Sequence, residues 1–313
     1  MKVLVTGGAG FIGRWLVKKL IEKDIQVTVL DNFSNGRMEN ISEFVDNPRF
    51  KLVKGDIRNE ELLKEIFKSN FEVVYHLAAE INVQKSLDDP YQAFQTDLIG
   101  TLNLLENCRK GSIKFIFVST CMVYEKSFDE NGINENHPVK PASPYAATKL
   151  SGEYLTLSYH YSYELPSVVL RPFNTYGPYQ KKNGEGGVVA IFSARALNKQ
   201  PLQIYGSGLQ TRDFLYVEDC VEFIRKASES KQAIGQVINA GTGVDISIND
   251  LAEMIANNNT KIEHVPHIHP QSEIMKLKCD ISKAHQILNW KPIYNLEKGL
   301  EKTEKWISTN LCL

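Results

Sequence analysis

Val5-Thr6-Gly7-Gly8-Ala9-Gly10-Phe11-Ile12-Gly13 is the stretch on which the fold turns. Residues 3–6 form a short apolar run of the kind that makes a buried strand. From residue 11 to residue 23 the apolar side chains recur at helical spacing. Three glycines in a G-x-x-G-x-x-G pattern therefore stand where a strand becomes a helix. Gly7 permits the tight turn, and Gly10 lets the backbone approach a pyrophosphate at the helix N-terminus, where unpaired N–H groups favour an anion. Gly13 lets the helix lie close to the sheet. A second strand, residues 26–30, leads into Asp31, whose carboxylate can accept from both hydroxyls of an adenosine ribose. Its charge repels a 2′-phosphate, so the pattern predicts NAD rather than NADP. Arg37 lies too far along the chain to reverse that preference.

Outward from this turn the two hydrophobic periods alternate. Strand-like runs at 50–53, 72–77 and 114–119 are separated by helical patterns at 59–69 and 89–109. Nearly continuous apolar strands between helices predict a parallel sheet covered on both faces, a doubly wound α/β (Rossmann) domain. After Arg171 the rhythm breaks into a stretch rich in Gly, Asn, Tyr and Pro, followed by a helical pattern at Val188–Leu197 and shorter elements. The reading is an NAD-binding domain over residues 1–171 and a smaller α/β substrate-binding lobe over 172–313, with elements around 213–240 returning to the first domain.

Composition bounds the function. Lys+Arg 36 against Asp+Glu 37 over 313 residues leaves no electrostatic case for nucleic acid or an anionic membrane as partner. No apolar run reaches the roughly 18 residues that span a bilayer. No signal peptide is expected, since the chain opens at Met1-Lys2 and enters a strand-like run at once. Five scattered cysteines without a C-x-x-C pair fit free thiols in a reducing cytosol, so a cytoplasmic enzyme is the expectation.

Ser143-Pro144-Tyr145-Ala-Ala-Thr-Lys149 has the form of a helix start, Ser143 capping and Pro144 in the first turn. Tyr145 and Lys149, four apart, share a face. A phenol near pKa 10 is a poor base at neutral pH. A nearby ammonium, with the positive charge of an oxidised nicotinamide, would lower that value and let Tyr145 take a proton from a sugar hydroxyl as hydride leaves the same carbon.

With these motifs in hand, the chain resembles the extended short-chain dehydrogenase/reductases, specifically the nucleotide-sugar epimerase/dehydratase family. The resemblance runs essentially the whole length: the glycine turn, Asp31-Asn32, Gly55-Asp56-Ile57, His76-Leu-Ala-Ala79, Ser119-Thr120-Cys-Met-Val-Tyr124, Tyr145/Lys149, Arg171-Pro-Phe-Asn174 and Thr211-Arg212-Asp213. It implies that Asp56 and Ile57 flank the adenine and that Leu77 and Ala78 flank the central cofactor. Phe11, Ile12, Asn32 and Asn35 complete the NAD set. It implies that Thr120 bonds the reacting hydroxyl beside Tyr145 and that Asn174 and Arg212 hold a substrate diphosphate. Glu273 would meet a uridine ribose, Tyr205 would stack near the base, and Val188 would line the substrate site. A UDP-sugar substrate and a homodimer, built on the helices that carry residues 89–109 and Tyr145, follow from the same resemblance.

The chain also departs from the family. Dehydratases carry an Asp-Glu pair directly after the active-site threonine; here Cys121 and Met122 stand there, and methionine does no acid/base work. That favours a 4-epimerase, acting through a transient 4-keto sugar, over elimination of water. Cys121 then has two readings: a small residue leaving room for sugar rotation, or a thiol that moves a proton at C5 of a 5,6-unsaturated or 4-keto-6-deoxy UDP-N-acetylhexosamine. Glu80 nevertheless has a dehydratase-like place. Asp97, where relatives often have Asn, is expected to alter only a local hydrogen bond. A protein that binds NAD without catalysis is a third reading, opposed by the presence of Thr120, Tyr145 and Lys149 together. His264, His267 and His269 match no common zinc spacing, and no metal is expected.

Overall fold

The structure is a computed structural model describing residues 1–127, 130–182, 187–256, 260–267 and 274–310. The chain divides into two compact units. The first comprises Met1–Val123, Ser143–Arg171 and Val221–Ile238; the second comprises Tyr124–Ala142, Pro172–Cys220 and Asn239–Leu313. The boundaries differ in detail from those expected. Residues 124–142 group with the second unit, joined to it by the bridge from Ile133 to Cys279. The segment that returns to the first unit is Val221–Ile238.

The first unit is organised by strands β1 (Lys2–Thr6), β2 (Gln26–Asp31), β3 (Phe50–Lys54), β4 (Val73–His76), β5 (Lys114–Val118) and β6 (Ser167–Pro172). The second unit adds β7 (Asn174–Tyr176), β8 (Leu202–Tyr205), β9 (Thr211–Tyr216), β11 (Asp245–Ser247), β12 (Ile262–Val265) and β13 (Lys276–Leu277), while β10 (Val237–Ala240) begins in the segment that returns to the first unit. The main sheet has the order β10-β6-β5-β4-β1-β2-β3, and its neighbours from β6 to β3 pair in parallel. Val3, Leu4 and Val5 are fully buried, as a strand covered on both faces requires. The order reverses direction between β1 and β4, and it is at such a switch point that α/β sheets bind ligands.

The helical pattern over 89–109 is not one regular helix. Pro90–Phe94 and Gly100–Gly111 are α-helical, and between them Gln95–Ile99 forms a π-helical turn that places Asp97 inside the unit. Single π turns of this kind are common beside functional sites. The Pro144–Tyr163 helix starts as expected, with Ser143 Oγ accepting from Ala146 N at 3.2 Å. In the second unit β9 is central: β7 and β13 pair with it in parallel and β11 in antiparallel fashion, while β8 and β12 form a separate parallel pair. Among the described residues no helix is long and apolar enough to cross a membrane.

Candidate functional site

The glycine turn leaves β1 and enters the Phe11–Ile21 helix. Gly7 has φ +73°, and a Cβ there would sit 2.7 Å from Ala78 N. A Cβ on Gly13 would sit 2.1 Å from the Gly7 carbonyl oxygen, so the helix packs on the turn at a distance only glycine permits. Gly10, the residue before the helix, uses no side-chain cap, which leaves the helix N-terminus with its backbone donors alone. Phe11 and Ile12 open that helix.

Asp31 closes β2 and faces this turn. Its Oδ2 accepts from Ala9 N at 2.9 Å and its Oδ1 from Phe33 N at 2.8 Å. Burial raises its pKa, against the pull of those two amides. The carboxylate thus braces the turn with lone pairs left for a further donor. Asn35 lies in the loop that follows β2. Asn32 Nδ2 donates to Asp56 Oδ2 at 2.8 Å, tying the ends of β2 and β3 together. The hydrogen bonds from Arg58 hold the Asp56 carboxyl down at about 2. Ile57 is buried, its tip against Gly100. Leu77 N donates to the Thr6 carbonyl at 3.1 Å, and Ala78 N reaches Thr6 Oγ1 at 3.3 Å.

From Ala78 a buried chain leads inward. Thr6 Oγ1 lies 2.7 Å from His76 Nδ1, His76 Nε2 lies 2.9 Å from Thr101 Oγ1, and Thr101 Oγ1 donates to the Asp97 carbonyl. Each hydroxyl has one proton, so Thr101, spending its own on Asp97, must accept from His76 Nε2. With the ring neutral, as its burial favours, Nδ1 is left to accept from Thr6. Burial lowers the ring's pKa, with Lys149 adding to the effect.

The end of β5 runs through Ser119, Thr120 and Cys121, and the Pro144–Tyr163 helix presents Tyr145, Lys149 and Glu153 at successive turns. Thr120 and Cys121, the latter 3% exposed, both bear on the Tyr145 phenol. The lowering expected for Tyr145 is not what these side chains produce. Enclosure of the hydroxyl raises its pKa, negative charge on Asp97 would raise it further, and Thr120 lowers it. Lys149 is buried and donates from Nζ to the Val118 carbonyl at 2.7 Å, its ammonium over the Phe117 ring at 4.4 Å. Burial lowers the Lys149 pKa, while Asp97 and Glu153 oppose that. Glu153 accepts from Arg171 Nε at 2.9 Å and from Ser119 Oγ, so one buried carboxylate fastens the helix to β6 and to the residue before Thr120. Sequence reading passed over Glu153, although its place four residues after Lys149 was visible.

In the second unit, Asn174, Val188, Tyr205 and Arg212 line one cleft of about 320 Å³, together with Gln180 and His267. Asn174 Nδ2 is buried and has no hydrogen-bond partner there, the condition of a donor waiting for an acceptor. Arg212 Nη1 donates to the Thr211 and Ile274 carbonyls, both at 2.7 Å, which fixes its guanidinium beside the cleft. Its neighbour Asp213 is fully buried. It accepts from Thr242 N and Oγ1 and from Gly243 N and Cys279 N, and burial raises its carboxyl to about 6. Glu273 and His269 lie outside the described residues. His264 Nδ1 makes a 2.9 Å hydrogen bond with the Gly206 carbonyl, and the His267 ring stands edge-on to Tyr205.

A family model described as GDP-mannose 4,6 dehydratase matches residues 4–303. The solved structure of Pal from Bacillus thuringiensis is 55% identical, covers 99% of this chain and 99% of its own, and superposes with a TM-score of 0.97. A UDP-glucose 4-epimerase from Thermotoga maritima, solved with UDP-glucose, is 36% identical over 99% of this chain and 100% of its own, with a TM-score of 0.92. A UDP-glucose 4-epimerase from Thermus thermophilus, in complex with NAD, is 32% identical over 99% of this chain and 100% of its own, with a TM-score of 0.90. The fold agrees with what these comparisons show: the chain belongs to the nucleotide-sugar epimerase/dehydratase family of extended short-chain dehydrogenase/reductases.

Proposed function

We propose that the chain is an NAD-dependent 4-epimerase of a UDP-sugar, with Tyr145 as the base. The observation that carries the reading is Tyr145 one turn before a buried Lys149 on the same helix, with Thr120 bearing on the phenol, in the unit that holds the glycine turn. NAD fits the chain: the turn admits no Cβ at Gly7 or Gly13, and Asp31 opposes a 2′-phosphate. When bound, NAD supplies a hydride acceptor and a positive charge. Thr120 and Tyr145 orient the sugar hydroxyl, and Tyr145 takes its proton while Lys149 opposes the negative charge that develops on the phenol. Asn174 and Arg212 receive the diphosphate and Tyr205 the base. Met122, standing after Cys121, can neither give nor take a proton, which favours epimerisation over dehydration.

Proton NMR in deuterated water tests this with UDP-glucose, UDP-N-acetylglucosamine and UDP-glucuronate. A C4 epimer without deuterium is the expected product; exchange at C5 sinks simple epimerisation. The second reading, a C4-oxidising isomerase with Cys121 moving the C5 proton, rests on the buried thiol beside Tyr145. Cys121→Ala should abolish C5 exchange under that reading and leave C4 inversion within a few-fold under the first.

Two further results are expected. Gly13→Ala should weaken NAD binding by about tenfold or more, since displacing the turn need cost only ~1.4 kcal/mol to do so; titration calorimetry measures it. Arg212→Ala should raise KM for the nucleotide sugar about 100-fold with kcat nearly unchanged, the loss of one charge-assisted contact to a phosphate at ~1.5–3 kcal/mol. A homodimer belongs to the same proposal. Tyr91, Tyr154 and Tyr161, on the helices expected to pair, are 71%, 59% and 74% exposed, a large apolar area for a second copy to cover. Light scattering decides it.

A further inference from the structure

Asp97 is a buried carboxyl that the mechanism above leaves unused. It sits in the π turn, 2% exposed, and its side chain meets two others. Oδ1 accepts from Glu80 N at 2.7 Å. Oδ2 lies 2.7 Å from Thr148 Oγ1, and Thr148 Oγ1 also lies 2.9 Å from the Tyr145 carbonyl oxygen. Thr148 has one proton for these two oxygens. Were Asp97 ionised, both would be pure acceptors, and one of the two short oxygen–oxygen contacts would lack a full hydrogen bond in a site closed to water. A neutral acid satisfies both: Oδ2–H donates to Thr148 Oγ1, Thr148 donates to the Tyr145 carbonyl, and Oδ1 keeps the Glu80 amide.

The charged surroundings are mixed. Lys149 and Tyr145 face Asp97 from the Pro144–Tyr163 helix, and Lys149 favours a carboxylate. The hydrogen bond that Lys149 Nζ makes goes to Val118 O rather than to Asp97. Glu80, 4% exposed and paired with Lys85, opposes a second negative charge from the other side. His76 reaches Asp97 only through Thr101 and its backbone carbonyl. Burial is the largest influence on the Asp97 carboxyl and raises its pKa.

We propose that Asp97 is held as a neutral carboxylic acid that donates to Thr148, and that it is a positioning residue which fixes the first turn of the Tyr145 helix while keeping negative charge away from the phenol. The second half of this statement rests on Tyr145 being the base; the first does not. The first test is therefore independent of turnover. Infrared spectra of the protein loaded with NAD are recorded at pH 7 for the native chain and for Asp97→Asn, whose amide can reproduce both hydrogen bonds. The native-minus-variant difference should contain a protonated carboxyl C=O band. A difference containing only carboxylate bands overturns the proposal.

If Asp97→Asn does not fold, Thr148→Val serves. A band already present in the native chain and merely shifted by the loss of its acceptor supports the neutral acid; a band that arises only in the variant shows that Asp97 was ionised, and overturns it. The pH dependence of kcat/KM reads the second half. Exchanging neutral Asp for neutral Asn should leave the midpoint of the Tyr145 limb in place. Loss of a carboxylate would move it to lower pH by about one unit, a tenfold change in ionised phenol. If no nucleotide sugar turns over, the functional reading fails while the infrared result stands.

Discussion

Tyr145→Phe is expected to lower kcat by about 1,000-fold, within the 10²–10⁴ span that a positioned acid/base group contributes. The ring stays, so packing survives; only the phenol oxygen is lost. Binding of NAD should persist, because the glycine turn and Asp31 are untouched. NMR progress curves measure the loss and ultrafiltration measures retained NAD. A fall of less than tenfold would reassign the base, and Cys121 would be next in line, since it alone among the neighbouring thiols lies within the phenol's field. Thr120→Val should follow Tyr145→Phe in direction with a smaller effect, because Thr120 orients the hydroxyl and lowers the phenol's pKa without taking the proton.

The features that proved legible in the sequence share one property: their signal is local. The glycine turn is a contiguous nonapeptide, Ser143 caps its helix by accepting from an amide three residues on, and the Val188–Leu197 helix announces itself by period. What stayed hidden depends on partners far along the chain. The π turn at Gln95–Ile99 adds one residue to a helical repeat without breaking its apolar pattern, so residues 89–109 read as one helix. Asp97 bonds Thr148 across 51 residues, and Asp213 bonds Cys279 across 66. Strands of two or three residues, such as Asp245–Ser247 and Lys276–Leu277, have too few side chains to show a period and exist because β9 supplies the pairing. The expectation that Asp97 changes only a local hydrogen bond failed for the same reason: its carbonyl and carboxyl join Thr101, Glu80 and Thr148.

The second large effect concerns stability first and activity through it. Glu153→Ala should lower the free energy of unfolding by about 3–5 kcal/mol, the cost of breaking a buried ion pair from one side. Glu153 and Arg171 are 1% and 6% exposed at the side chain, so the guanidinium left behind could not recover its hydration. Ser119 Oγ would lose its acceptor too. Urea unfolding followed by circular dichroism gives the number, and a loss under 1 kcal/mol would mean that water or a rearranged side chain replaces the carboxylate. Glu153→Met with Arg171→Leu should recover most of the loss, because removing both charges removes the desolvation penalty of each. Activity should not recover with it. The Glu153 carboxylate opposes the burial that depresses the Lys149 pKa. Without it, that pKa falls further and the ammonium is lost at lower pH, so the alkaline limb of kcat should shift downward in the double variant. With Asp97 held neutral, Glu153 is the carboxylate left to keep Lys149 charged. A stable double variant with an unmoved alkaline limb would show that the pair only holds β6 to the helix.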